Sequence, residues 1–140
     1  MLLETVARKS ESLDRCLARI REEYAGRGGD FATDYRRQDS IVLNLQRACE
    51  QCIDVAQVLI KHAGLKRPRQ NAEAFAVLAK AGLIADDEAR RLRGMVGFRN
   101  VAVHEYQKIS LAILTDIVER HLDGPRAFVD RALDIIADDA

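Results

Sequence analysis

An antiparallel α-helical bundle is predicted from three observations. Apolar residues recur at steps of three, four and seven along nearly the whole chain, the period of one helix face. Nowhere do apolar and polar residues alternate as in a half-buried strand. The interruptions are short and hold Gly, Pro or basic residues, so successive helices fold back on one another. Leu3, Val6, Leu13, Leu17, Ile20 and Tyr24 mark a first helix over about residues 2–25, and the glycines within Gly26–Asp30 stop it. A long second helix follows over about 34–63, with one stripe of Ile41, Leu45, Ala48, Cys52, Val55, Leu59 and Ala63. Beside it runs a second stripe of Val42, Cys49, Ile53, Ala56 and Ile60. So wide an apolar face predicts a central helix packed on several neighbours or on a partner chain. Gly64 ends it, and Lys66-Arg67-Pro68-Arg69 forms a basic turn. Asn71 is placed to cap a third helix over about 72–81, closed by Gly82, and Asp86 to cap a fourth running through Leu92 and Met95 towards Phe98. Leu111, Leu114, Ile117 and Val118 mark a helix within 108–122. Gly124-Pro125 then breaks the chain before a final short helix holding Phe128, Ala132, Leu133 and Ile136. The expectation is four main helices plus short extra ones, with residues 1–140 forming a single domain.

Composition narrows the function classes. Lys+Arg and Asp+Glu both number 22, so the formal charge is zero and a broadly basic nucleic-acid binder is not expected. The longest uninterrupted apolar run is Ala74–Ala79, far short of the roughly 20 residues that span a bilayer. Glu4, Arg8 and Lys9 stand where a signal peptide needs apolar residues, which makes the cytoplasm the default location and a membrane partner unexpected. Cys49 and Cys52 form a CxxC. It lacks a second ligand pair for zinc, and it lies mid-helix rather than at the helix start that redox chemistry uses. Small buried side chains are the better reading. Walker A, Rossmann, G-x-S-x-G and H-E-x-x-H patterns do not occur, and no dense His/Asp/Glu cluster suggests a metal, so neither cofactor nor metal is expected.

One stretch carries chemistry, Gly97-Phe98-Arg99-Asn100-Val101-Ala102-Val103-His104-Glu105-Tyr106. Arg99 is a permanent cation that can fork onto a phosphate. His104 can move a proton near neutral pH. Together they suit cleavage of an RNA phosphodiester without a metal, His104 moving the proton of the 2′-OH or of the leaving oxygen and Arg99 stabilising charge on the phosphoryl group. Five residues of straight helix turn about 500°, which leaves Arg99 and His104 about 140° apart, whereas Tyr106 would share the face of Arg99. The pair converges if the helix bends or breaks near Asn100, or if a second chain joins.

Arg99-x4-His104-x-Tyr106 resembles the motif of the HEPN superfamily, and in particular of the HepT toxins. The run Leu43–Ala56 is similar to that family's long second helix. Asn71–Gly82 with Phe75 and Leu78, followed by Met95–Asn100, keeps the family's order, so the resemblance spans residues 30–120. It implies a HEPN-like helical domain acting as a homodimeric endoribonuclease toxin, its cleft at the dimer interface. Arg99 and His104 would be the catalytic pair, with Asn100 supporting. It also implies a partner, an antitoxin of the minimal nucleotidyltransferase type (MntA), which moves AMP from ATP onto the motif tyrosine, here Tyr106. Added bulk and negative charge there would oppose an RNA phosphate. Superfamily members carry a polar residue on the second helix facing the cleft, and Asp39 and Asn44 are both candidates. The same resemblance accommodates a second reading, a non-catalytic helical module that docks a nucleotidyltransferase and holds its nucleotide. A helical dimer that only scaffolds is a third.

The remaining polar features have plainer readings. His62 and His121 sit near helix ends, where a cation complements the dipole. Lys66-Arg67-Arg69 and Arg90-Arg91-Arg93 could track an RNA backbone, but charge runs are usually solvated faces, and that is the preferred reading of both. The chain has no Trp and few aromatics, so base stacking is poorly supplied and any RNA preference should be loose.

Overall fold

Helix α1 (Leu2–Ala25) and helix α2 (Tyr35–His62) pack along each other, with a single 3-10 turn, Phe31–Thr33, between them. The computed structural model describes residues 2–139. After α2 come α3 (Asn71–Lys80), α4 (Asp86–His104), a 3-10 turn at Tyr106–Lys108, α5 (Leu111–Arg120) and α6 (Asp123–Asp138). No strand occurs among the described residues, and none of their helices is long and apolar enough to cross a membrane.

The two apolar stripes of α2 explain its central place. One packs residues such as Ile41, Leu45, Val55 and Leu59, the other Val42, Cys49 and Ile60, and all seven are buried. They meet α1, α3, α4 and α6. The core centres on Phe75 of α3 and Phe128 of α6, whose rings meet edge-to-face at 5.4 Å and 78°. Burying a side chain of this size contributes about 1.5–3 kcal/mol.

Helix starts differ from the sequence expectation at two points. Asn71 and Asp86 are not caps but the first helical residues, and the caps are Gln70 and Ala85, neither bonding through a side chain. Asp86 serves the first turn of α4 instead, with Asp87 and Glu88, where negative charge complements the positive end of the helix dipole. Asp87 shows this: its carboxylate accepts the Glu88 N–H at 3.0 Å and pairs with Arg91, and these bonds hold its carboxyl below the usual range. Asp34 does cap α2, accepting the Arg37 N–H at 3.2 Å. Both expected glycine stops are present: Gly64 (φ 68°) and Gly82 (φ 78°) are left-handed. The following residues close Schellman motifs, Leu65 N–H to Ile60 O at 2.9 Å and Leu83 N–H to Leu78 O at 3.0 Å.

The last helix is longer than expected. Helix α6 begins at Asp123 and carries Gly124-Pro125 within its first turn, where a proline's missing N–H has no intrahelical partner to lose. It buries Pro125, Phe128, Val129, Ala132 and Ile136 against α1 and α2, so it is a main helix. The short helices are α3 and α5. Ser110 caps α5 through the Ile113 N–H, and Tyr24 of α1 donates to Glu119 of α5.

Candidate active site

The motif residues lie along the seam where α4 runs antiparallel to α2. Two side-chain contacts fix that alignment. Arg99 of α4 pairs with Glu50 of α2, Nε to Oε1 at 3.5 Å. Farther along, the Tyr106 hydroxyl donates to Asp39 Oδ1. Asp39, Leu43, Gln46 and Glu50 step by four, three and four, so they form one stripe of α2 beside the seam. Gln46 Nε2 donates to Glu50 Oε1 at 3.2 Å, steadying the carboxylate that holds Arg99.

Arg99 is poised rather than spent. Its side chain is 26% exposed, and its Nε is enclosed beside Glu50 without a well-formed hydrogen bond. Its Nη1 donates to Asn100 Oδ1 at 3.2 Å, which gives Asn100 a supporting contact. No described acceptor takes Nη2, so the outer end of the guanidinium can still meet a phosphate oxygen. His104, the last residue of α4, is exposed and makes no hydrogen bond or ion pair with any described residue. Both ring nitrogens are therefore open to substrate.

Two geometric expectations change. The helix does not break near Asn100: α4 is continuous through Gly97 and Asn100 to His104 and ends only at Glu105 (φ −142°, ψ 49°). The Glu105 N–H still reaches Val101 O at 2.8 Å. On an unbroken helix Arg99 and His104 stay about 140° apart, so a local bend does not bring them together. Nor does Tyr106 continue the face of Arg99. It has left the helix for the 3-10 turn, and its hydroxyl is turned towards α2. Gly97 is not required for space, since a Cβ added to it would meet nothing within 4 Å. Gly97→Ala is expected to stabilise the chain by about 0.5–1 kcal/mol without moving the site, as read by urea unfolding; a loss of stability would mean that α4 needs a bend there.

The structure also separates the two polar candidates on α2. Asp39 is the one at the seam. Asn44 lies about 140° round the helix from it, donates to Ser40 O at 2.8 Å, and faces the α1 side. Sequence reasoning missed Glu50. The available signal was its spacing of eleven from Asp39, three turns along the same face.

The other singled-out residues lie away from the seam. His62 meets Asp139 at 2.8 Å, and His121 meets Asp116 at 3.2 Å. Cys49 and Cys52 are buried. Burial pushes the Cys49 thiol up to about 12, with the Arg99 charge opposing only in part, and pushes Cys52 up as well. Neither supplies a thiolate near neutral pH. Lys66, Arg67, Arg69, Arg90, Arg91 and Arg93 are all exposed. A cavity of about 820 Å³ opens between α4 and α5, but none of Arg99, Asn100, His104 or Tyr106 lines it.

Around the seam the surface is unusually apolar. Tyr35 is 65% exposed, Tyr106 45%, Leu43 42% and Val103 41%. These make up four of the six large hydrophobic side chains that the described residues leave exposed, and they belong to α2, the end of α4 or the 3-10 turn after it.

Known proteins resemble this chain in sequence and in fold. The family model described as "Ribonuclease HepT-like" matches residues 13–132. A relative from Shewanella oneidensis, named mRNA nuclease HepT, is 39% identical over 127 residues, covering 91% of this chain and 95% of that protein. A solved structure of a tri-AMPylated HEPN toxin from the same organism, in complex with its MNT antitoxin, superposes with a TM-score of 0.85 at 38% identity, over 90% of this chain and 94% of that one. A toxin–antitoxin complex with AMP-PNP superposes with a TM-score of 0.86 at 38% identity, over 91% and 96% of the two chains.

Proposed function

The chain belongs to the HepT-like ribonuclease family, and on that premise we propose how its residues do the work of a toxin. It is an endoribonuclease toxin of a toxin–antitoxin pair, acting on RNA in the cytoplasm and neutralised when a minimal nucleotidyltransferase of the MntA type transfers AMP to it. The observation that carries the residue assignment is the seam itself. An unbroken α4 offers a half-free Arg99 and a wholly free His104 beside an exposed apolar surface.

The active unit is a two-fold homodimer. On one helix Arg99 and His104 diverge by about 140°. A second copy docked over Leu43, Val103 and Tyr35 covers the apolar surface and brings a second Arg–His pair to the same cleft. That arrangement also supplies an acid and a base together, which in-line cleavage uses. One His104 takes the proton from the ribose 2′-OH as that oxygen attacks phosphorus. The bond from phosphorus to O5′ breaks, and the other His104 gives its proton to the leaving oxygen. The products are a 2′,3′-cyclic phosphate and a 5′-hydroxyl. Arg99 holds the non-bridging oxygens as charge builds on them, with Asn100 steadying its guanidinium. No step uses a metal.

Modification would occur at Tyr106. Its hydroxyl oxygen attacks the α-phosphorus of ATP, and pyrophosphate leaves. Asp39, already the acceptor of that hydroxyl's hydrogen bond, is in place to take the proton. The resulting phosphodiester adds negative charge and bulk at the end of the seam, two residues from His104.

The test is cleavage of an end-labelled RNA by the purified chain in EDTA. Cyclic-phosphate ends are expected at an undiminished rate. Activity that disappears with EDTA and returns with a divalent cation would overturn the metal-independent mechanism.

A further inference from the structure

A second groove lies on the other flank of α2, between α2 and α1, with a volume of about 640 Å³. Its walls carry Arg15 and Arg19 of α1 and Arg47 of α2, and no acidic side chain lines it. None of the three arginines makes an ion pair or hydrogen bond with any described residue, and all are exposed. Lys9 and Arg37 of the same helix pair are engaged, Lys9 by Asp54 at 2.8 Å and Arg37 by Asp34 and Glu23. The three arginines of the groove are not, and they gather in a chain whose net charge is zero.

The groove has polar groups to match. Ser12 and Ser40 line it, and Asn44, whose Nδ2 is engaged by Ser40 O, keeps its Oδ1 without a protein donor. Gln51 also lines it. A ribose hydroxyl is a donor suited to the Asn44 oxygen. Arginines for phosphate and amides for sugar form a set suited to a ribose-phosphate strand.

Its position relative to the seam completes the case. The groove residues of α2 are 40, 44, 47 and 51, and the seam residues are 39, 43, 46 and 50. Each groove residue follows its seam counterpart by one, so the two stripes lie about 100° apart round one helix. Ser40 to Gln51 spans about 16 Å of helix. A strand held at the seam has only to cross the crest of α2, past Arg47, to enter the groove.

We propose that the α1–α2 groove is an exit track for single-stranded RNA, in which Arg15, Arg19 and Arg47 hold backbone phosphates of nucleotides flanking the one cut at the seam. The inference rests on the ribonuclease reading above. It is tested in a His104→Ala background, so that the RNA survives, by the fluorescence anisotropy of a labelled oligouridylate over a salt series. Arg15→Gln, Arg19→Gln and Arg47→Gln are combined. A control combines Lys66→Gln, Arg67→Gln and Arg69→Gln, which removes the same charge from an exposed turn. Three lost contacts at about 0.7 each should flatten the salt slope of log affinity by about 2, and the control should leave it near the parent value. Circular dichroism checks that both triple variants are folded, and single Arg→Lys variants should keep the slope. Parent and groove variant binding alike would overturn the track, as would an equal loss in the control, which would reflect net charge alone. Loss of nucleotidyltransferase binding with RNA binding intact would make the groove a protein-docking face and overturn it too. A parent that binds no RNA, with a wild-type chain that cuts none, would instead remove the ribonuclease reading and the track with it.

Discussion

His104→Ala is expected to slow RNA cleavage by about 10²–10⁴-fold, the usual worth of a positioned acid–base group. It should abolish growth arrest and shift unfolding by no more than about 0.5 kcal/mol. The stability expectation follows from the structure: His104 is exposed, ends its helix and bonds to no described residue, so truncation leaves nothing buried and unmet. A folded variant that cuts RNA at the wild-type rate would remove His104 from the mechanism. The same variant tests the dimer. Mixing His104→Ala chains with wild-type chains produces heterodimers whose shared cleft keeps a single His104. One His104 takes a proton and the other gives one, so these heterodimers should be as slow as the variant, and the activity of the mixture should fall below its share of wild-type chains. Activity that tracks the share of wild-type chains would mean that each chain cleaves on its own. A chain with no cleavage under any condition, still docking the nucleotidyltransferase, would be a binding module.

Tyr106→Phe is expected to eliminate neutralisation without eliminating the toxin. Intact-mass measurement after incubation with the nucleotidyltransferase and ATP should show added AMP on the wild-type chain and none at this position in the variant. Co-expression of the nucleotidyltransferase should then fail to restore growth. The substitution removes one hydroxyl and its bond to Asp39, both groups exposed, so the fold should lose no more than about 1 kcal/mol. The expected inactivation follows from charge: a phosphodiester at Tyr106 places an anion on the seam, where it repels an RNA backbone. An unchanged mass gain in the variant, mapped away from residue 106, would move the regulated site elsewhere. A chain modified on Tyr106 that still cuts RNA would show that charge and bulk at this position do not block the cleft.

How much of this was legible in the sequence depended on how far each feature reaches along the chain. The stops at Gly64 and Gly82 were legible because a left-handed residue after a helix is a local requirement that glycine meets. The core face of α2 was legible because its period is fixed by the helix itself. The helix starts at Asn71 and Asp86 were off by one residue, since a first-turn acid and a cap use the same residue types for neighbouring positions. The rank of α6 was misjudged because Gly124-Pro125 looks like a break, and only the burial of Phe128 and Val129 against α1 and α2 makes it the first turn of a main helix.

By itself, the sequence determined the all-helical class, the central place of α2, and a motif whose residue types name its chemistry and its family. These rest on local periodicity, on glycine's freedom at positive φ, and on the acid–base and phosphate-binding character of His104 and Arg99. Tertiary structure alone decided where α4 ends, that Asp39 rather than Asn44 faces Tyr106, and that Glu50 holds Arg99. Each of these is an angular relation between two helices. Which side of α2 meets α4 is set by how all the apolar faces are buried at once, and no local pattern in either helix carries that angle.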